Sequence, residues 1–190
     1  YRVIGTTRNK SSRNLHRLKK LKIINRVSLL KGVATDLNFC KKALNAKINE
    51  IYYLAGDSSV LKSFETPEIS LKSNTEGILN ILQTLKQKKY KAKLFNAGSG
   101  QFYGDNKKNF YNINSKIEPQ SPYGVSKAAA YWLTKIYREK YDIYCCTGIL
   151  FNHESPLRSK EFVTKKIVDT ALKIKKQKRL KLELGNVDIY

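Results

Sequence analysis

Cysteine is scarce in this chain of 190 residues: Cys40, Cys145 and Cys146 are its three thiols, and no CxxC spacing joins them. That excludes a disulfide framework and a zinc site built on cysteine pairs; two adjacent cysteines in an apolar stretch read as buried thiols in a reducing compartment. Long hydrophobic runs are lacking too. None approaches the roughly 18 residues of a membrane span, and the first residues lack the apolar core of a signal peptide. A cytoplasmic protein with no membrane partner is expected. Internal repeats and low-complexity linkers are missing. Acidic residues are few, 15 against 37 lysines and arginines, for a formal charge of +22. Such a charge attracts nucleic acid by releasing counterions. The lysines, however, are spread along the chain and concentrate on expected helix exteriors, as at Lys86, Lys88, Lys89, Lys91 and Lys93 or Lys173, Lys175, Lys176 and Lys178. No zinc finger, recognition helix or RNP-like aromatic motif accompanies them. A solvated lysine-rich surface that draws in anionic substrates fits better than a nucleic-acid partner.

What is present is a core. An apolar content of 41% with 11% aromatics argues for one globular unit. Short β-branched or apolar runs alternate with longer segments of helical period, the pattern of βα units around a doubly wound parallel sheet. Strands are expected at Arg2 to Thr6, Arg26 to Leu30, Glu50 to Leu54, Lys93 to Ala97 and Tyr144 to Leu150, with another near Lys181 to Leu184. Helices are expected at Asn38 to Lys47, Pro67 to Gln87, Pro122 to Lys140 and Glu161 to Lys176. Such sheets normally open with a strand and a glycine-rich turn, and no G-x-x-G-x-x-G stands at the start. The chain is therefore expected to lack its first βα unit and to be an internal piece of a longer enzyme. By itself it is expected to bind a dinucleotide poorly and to be inactive.

Ligands of open α/β sheets sit at the carboxyl ends of the strands. Two stretches put chemistry there: Asn152-His153-Glu154-Ser155-Pro156-Leu157-Arg158 after the run Thr147 to Phe151, and Ser121-Pro122-Tyr123-Gly124-Val125-Ser126-Lys127. A Tyr with Lys four residues on can share one helical face, where the ammonium lowers the phenol pKa and lets the phenolate act as a base. With 12 tyrosines in the chain, about two such pairs are expected by chance. Three occur: Tyr103/Lys107, Tyr123/Lys127 and Tyr131/Lys135. Gly104-Asp105-Asn106 breaks the helix the first would need, and Tyr131 lies mid-helix. Tyr123 begins a helix just after Pro122, so its hydroxyl can reach a cleft. Ser99 ends the strand Lys93 to Ala97, flanked by Gly98 and Gly100, and can donate to a developing alkoxide while Tyr123 exchanges its proton. Taken alone, Ser99 is a serine in a glycine-rich loop.

With these residues the chain resembles the extended short-chain dehydrogenase/reductase superfamily, and within it the GDP-mannose 4,6-dehydratases. The resemblance runs nearly end to end: Leu54-Ala55-Gly56-Asp57-Ser58-Ser59-Val60, Phe95-Asn96-Ala97-Gly98-Ser99, Tyr103-Gly104-Asp105, the Tyr123 motif, Asn152-His153-Glu154-Ser155-Pro156, Phe162-Val163-Thr164-Lys165-Lys166-Ile167 and Leu184-Gly185-Asn186. It implies a Rossmann-like sheet without its first βα unit, with residues 1–150 as a partial NADP-binding domain and 151–190 as the start of a nucleotide-sugar region. It implies Ser99, Tyr123 and Lys127 as catalytic residues, with Tyr123 removing the sugar C4 hydroxyl proton while NADP takes the hydride. Asn74 matches a position that supports the active-site helix. Arg8 matches an arginine that pairs with the 2′-phosphate of NADP. Leu54, Ala55 and Gly56 match the loop under the cofactor. Leu150, Asn152 and His153 match the strand end flanking nicotinamide and the substrate diphosphate, with Arg158 of the same motif also on the cofactor side. Val163, Lys165, Gly185 and Asn186 match the nucleotide-sugar side. Bland readings stand beside three of these: Arg8 as a solvated surface residue, Lys165 as part of a charged helix face, His153 as a packed histidine. The expected partners are GDP-mannose or a related nucleotide sugar, and a second copy of the chain in a homo-oligomer.

Two departures stand out. Where the family has a glutamate that takes the C5 proton, this chain has Gln101, an amide that keeps the shape but cannot accept the proton. The expectation is a dehydratase impaired at elimination, with a GDP-4-keto-6-deoxy sugar reductase or epimerase, or a silent nucleotide-sugar-binding homologue, as alternatives. Asp57 and Glu154 are the nearby carboxylates by motif. The second departure is Val33-Ala34 in place of an Asp-Leu pair at the adenine, with Asp36 close enough in sequence to substitute.

Overall fold

The computed structural model describes residues 1–104, 110–177 and 180–184, the side chains of Ser12 and Arg13 excepted. These fall into two compact units, Tyr1–Phe151 and Asn152–Tyr190.

In the first unit all strand pairing is parallel. β1 (Val3–Thr7) pairs with β2 (Val27–Lys31) from Val3↔Val27 to Thr7↔Lys31. β3 (Glu50–Tyr53), β4 (Lys93–Ala97) and β5 (Cys145–Gly148) form a second ladder with β4 at its centre. Helices α1 (Ser12–Lys20), α2 (Leu37–Ala43), α3 (Val60–Glu65), α4 (Pro67–Leu71), α5 (Gly77–Lys88) and α6 (Pro122–Tyr141) fill the connections. Parallel neighbours require such crossovers, which brings every strand's carboxyl end to one edge of its ladder.

The core follows from the spacing in α5. Ile78, Ile81, Leu82 and Leu85 recur at intervals of three and four, lie on one face and are buried against Tyr53, Leu94, Ala130, Ile143 and Cys145. Each such aliphatic side chain removed from water contributes about 1.5–3 kcal/mol. The expected helix Pro67 to Gln87 is one run interrupted by a π turn at Lys72–Glu76, a feature hydrophobic period does not reveal.

Four expectations are corrected. Helix α1 forms where no helix was expected: Ser11 caps it by accepting the Asn14 N–H, but Leu15 is its one buried residue among those described, so the apolar stripe that signals a helix is missing. The short α3, capped by Ser59, was likewise not foreseen. Lys181 to Leu184 is irregular, not a strand. Cys146 is exposed, because alternation along β5 buries Cys145 and turns its neighbour outward. All three cysteines are free thiols. Among the described residues no helix is long and apolar enough to cross a membrane.

The second unit holds α7 (Val163–Lys176), none of whose residues is fully buried.

Candidate active site

β4 ends at Ala97, and the chain continues through Gly98 and Ser99 into a 3₁₀ turn, Gly100–Tyr103. The ladder persists beyond the strands: the Gly98 N–H donates to the Gly148 carbonyl and the Gly100 N–H to the Leu150 carbonyl, both at 2.9 Å. Ser99 is thus held between two backbone bonds and is 8% exposed. Its Oγ accepts the Gln101 N–H at 3.2 Å, capping the turn. Gln101 itself is exposed. Leu150 is exposed as well.

Helix α6 begins beside this turn. Ser121 caps it by accepting the Gly124 N–H at 3.0 Å, and Pro122 occupies the first turn, where its missing N–H costs nothing. A Cβ on Gly124 would lie 2.7 Å from the Gln101 carbonyl oxygen, so the helix start and the serine turn touch backbone to backbone. Tyr123 and Lys127, one turn apart, are both 8% exposed. The Lys127 Nζ lies 5.8 Å from the centre of the Tyr123 ring and donates to the Ala97 carbonyl at 2.8 Å. Burial pulls its ammonium down to about 8, because desolvation penalises the charged form. The structure therefore brings Ser99, Tyr123 and Lys127 to the carboxyl end of β4.

Side chains in and around the π turn brace that cluster; of these the sequence reading named Asn74 and missed Thr75 and Ser126. Asn74, buried in the π turn, donates through Nδ2 to the Asp57 carbonyl at 3.2 Å and to Ser126 Oγ at 3.1 Å. Ser126 Oγ donates onward to the Tyr123 carbonyl at 2.7 Å, and Thr75 Oγ1 donates to the Ser126 carbonyl at 3.0 Å. The bonds from Asn74 and Thr75 to Ser126 span 52 and 51 residues, which no local pattern signals.

Leu54, Ala55 and Gly56 follow β3 and are exposed. Gly56 has φ +141°, and a Cβ there would fall 2.0 Å from Asn74 Oδ1, a buried oxygen that receives no hydrogen bond among the described groups. Arg8, just past β1, is exposed. The Asp36 carboxylate caps α2, its Oδ1 accepting the Asn38 and Phe39 N–H groups at 2.8 and 3.1 Å. The Ala34 carbonyl accepts from Cys40 Sγ and Asn80 Nδ2.

Neither candidate replacement for the carboxylate at 101 stands free. Asp57 accepts the Ser59 N–H at 3.3 Å. Glu154, in the second unit, is paired with Arg158 at 3.5 Å, whose guanidinium also stacks over Phe162 at 3.5 Å. Also in the second unit, Lys165 pairs with Asp169 at 2.6 Å, and that bond lowers the Asp169 carboxyl pKa. Asn152, His153 and Val163 are exposed there. Gly185 and Asn186 lie outside the described residues. No cluster of metal-ligating side chains occurs among the described residues.

Residues 1–190 match the family model described as GDP-mannose 4,6 dehydratase. The chain is 35% identical to GDP-mannose 4,6 dehydratase 1 of Arabidopsis thaliana over 198 residues, 98% of this chain and 55% of that protein. It is 36% identical to the GDP-mannose 4,6-dehydratase of Sinorhizobium fredii, over 99% of this chain and 56% of the relative. The chain spans about half the length of the curated relatives it matches. Among solved structures, a dTDP-glucose 4,6-dehydratase of Streptomyces venezuelae with NAD and DAU bound superposes with a TM-score of 0.78 at 21% identity, over 90% of this chain and 52% of that one. RMD from Pseudomonas aeruginosa complexed with NADPH gives 0.75 at 24% identity, over 92% and 63%. At those identities the structural likeness establishes the Rossmann-like fold.

Proposed function

The chain belongs to the GDP-mannose 4,6-dehydratase family, and from that premise we propose that the protein converts a GDP-hexose, GDP-mannose first, using NADP and the cluster Ser99, Tyr123 and Lys127. The observation that carries this reading is the Lys127 ammonium, buried one turn below Tyr123 and tied to the Ala97 carbonyl two residues before Ser99. That arrangement supports roles for Lys127 as the cation that favours the Tyr123 phenolate and for Ser99 as a hydroxyl donor on the adjoining turn.

The residues present fit a bound dinucleotide. The loop 54–56 is exposed at the carboxyl end of β3, and Gly56 leaves room that a Cβ would close against Asn74. Arg8 at the end of β1 offers a guanidinium to a 2′-phosphate. Bound there, the dinucleotide supplies a site for hydride storage and return. Tyr123 removes the proton from the sugar hydroxyl, Lys127 holds the resulting charge down, and Ser99 donates to the oxygen as its bond order changes. Leu150, Asn152, His153 and Arg158 are proposed for the cofactor and diphosphate side, and Val163, Lys165, Gly185 and Asn186 for the nucleotide sugar.

A second reading rests on Gln101. An exposed amide at this position accepts no proton at the pH of the reaction. Proton exchange at C4 needs Ser99, Tyr123 and Lys127, whereas elimination across C5 and C6 needs a base. A GDP-4-keto-6-deoxy sugar reductase or epimerase uses the first set alone. We also propose a homo-oligomer through α6, where Val125, Trp132 and Ile136 share one face and are each about half exposed.

The deciding experiment is NADP-dependent conversion of GDP-mannose by the protein in its full natural length, with product followed by mass. Loss of water supports the dehydratase. Turnover of a 4-keto sugar without dehydration of GDP-mannose supports the second reading. No turnover of either, with GDP-sugar still bound, refutes both in favour of a binding protein.

A further inference from the structure

We infer that Tyr53 is a positioning residue for Tyr123, acting through the π turn at Lys72–Glu76. Tyr53 ends β3 and is buried, and its hydroxyl donates to the carbonyl of Ser73 inside that turn. The contact exists because residue 77 is glycine: a Cβ there would stand 1.9 Å from the Tyr53 hydroxyl oxygen. Burial raises the phenol pKa, with Cys40 and Glu76 adding to the effect, so this hydroxyl remains a donor throughout the working pH range.

A π turn inserts one residue into a helix and rotates everything on one side of it relative to the other. The Tyr53 hydroxyl gives the Ser73 carbonyl a partner from outside the helix, which favours the wider turn over regular α-helix. The next two residues then both face α6. Asn74 reaches Ser126 Oγ at 3.1 Å, Thr75 reaches the Ser126 carbonyl at 3.0 Å, and Ser126 Oγ closes on the Tyr123 carbonyl at 2.7 Å. On the same turn, Ser73 Oγ accepts the Asp57 N–H at 3.1 Å and Asn74 holds the Asp57 carbonyl, fixing the loop after β3. One phenol therefore sets both the first turn of α6 and the loop that follows Gly56. The inference rests on the proposed role of Tyr123.

Hydrogen exchange read by mass spectrometry on the full natural protein tests it, with Tyr53→Phe, Ser126→Ala and the double variant. Tyr53→Phe keeps the ring and removes the donor. The expected result is exchange about tenfold faster in 72–76 and 121–127, with β4 and the later turns of α6 unchanged, the size expected for one lost buried hydrogen bond. In the Ser126→Ala background, which keeps only the Thr75 bond to the Ser126 carbonyl, Tyr53→Phe should add less at 121–127 than it does alone. In the active enzyme, kcat should fall about tenfold with the KM for nucleotide sugar unchanged. A faster 72–76 with 121–127 untouched, or a uniform rise across the protein, overturns the inference. Absence of turnover in the parent protein counts against the proposed activity alone, and the exchange pattern still decides the role of Tyr53.

Discussion

Lys127 donates a 2.8 Å hydrogen bond from the second turn of α6 to the carbonyl of Ala97, the last residue of β4. Its ammonium, lowered by burial from an ordinary 10.5 to about 8, is the feature of the site most open to titration. Below pH 8 the group is charged both folded and unfolded, and folding carries the full desolvation cost. Between pH 8 and 10.5 the unfolded chain binds more protons, so stability rises with pH through that window, by up to about 3 kcal/mol from this group. Lys127→Met should flatten the rise in urea-unfolding curves collected from pH 7 to 10.5. Catalysis runs the other way. Once Lys127 loses its proton it no longer favours the Tyr123 phenolate, so kcat/KM should decline above about pH 8. A profile flat to pH 10 would exclude this role.

Gln101→Glu restores a proton acceptor beside Ser99. The side chain is exposed and its backbone makes the local contacts, so stability should move by less than about 0.5 kcal/mol. Dehydration of GDP-mannose should gain roughly a hundredfold, the scale of one positioned general base. Mass analysis of the product reads the change, and an unchanged rate would remove Gln101 as the limiting feature.

Gly56→Ala meets two obstacles, a φ of +141° and a contact at 2.0 Å with Asn74 Oδ1. A destabilisation of about 1–3 kcal/mol is expected. NADP affinity measured by fluorescence titration should weaken along with it, since the loop must shift away from Asn74. Parent-like affinity would show that this loop does not face the nucleotide.

Asp169→Asn releases Lys165 from its ion pair at 2.6 Å. Folding stability should change by under about 0.5 kcal/mol, as for other helical ion pairs one turn apart. If Lys165 meets the anionic side of the nucleotide sugar, calorimetry should show binding tightened by roughly twofold to fivefold. A weaker ligand would place Lys165 elsewhere.

The alternation of short apolar runs with helical period was enough to read β1 to β5, α5, α6 and α7 within a few residues, because the apolar period is kept even where, as in β1, β2 and α7, no residue is fully buried. α1 escaped because its surface is nearly all polar, with Leu15 its one buried residue among those described. The cluster Ser99, Tyr123 and Lys127 was legible because strand ends and helix starts are local features. Tyr53, Thr75 and Ser126 were not, since their partners lie far along the chain and are brought close by the sheet. The cap that Asp36 makes on α2 was not read from the sequence either, although a carboxylate two residues before a helix amide is a common N-cap.

The turn that carries Gln101 is capped by Ser99 Oγ through the Gln101 main-chain N–H, and Gln101 is exposed. The scaffold therefore exerts almost no selection on which side chain stands there. Glutamine and glutamate codons differ by one base, so a lineage could gain or lose the eliminating base in a single mutational step without passing through a misfolded protein. Retained hydride chemistry with drifting product outcome is the evolutionary pattern such a site would leave behind.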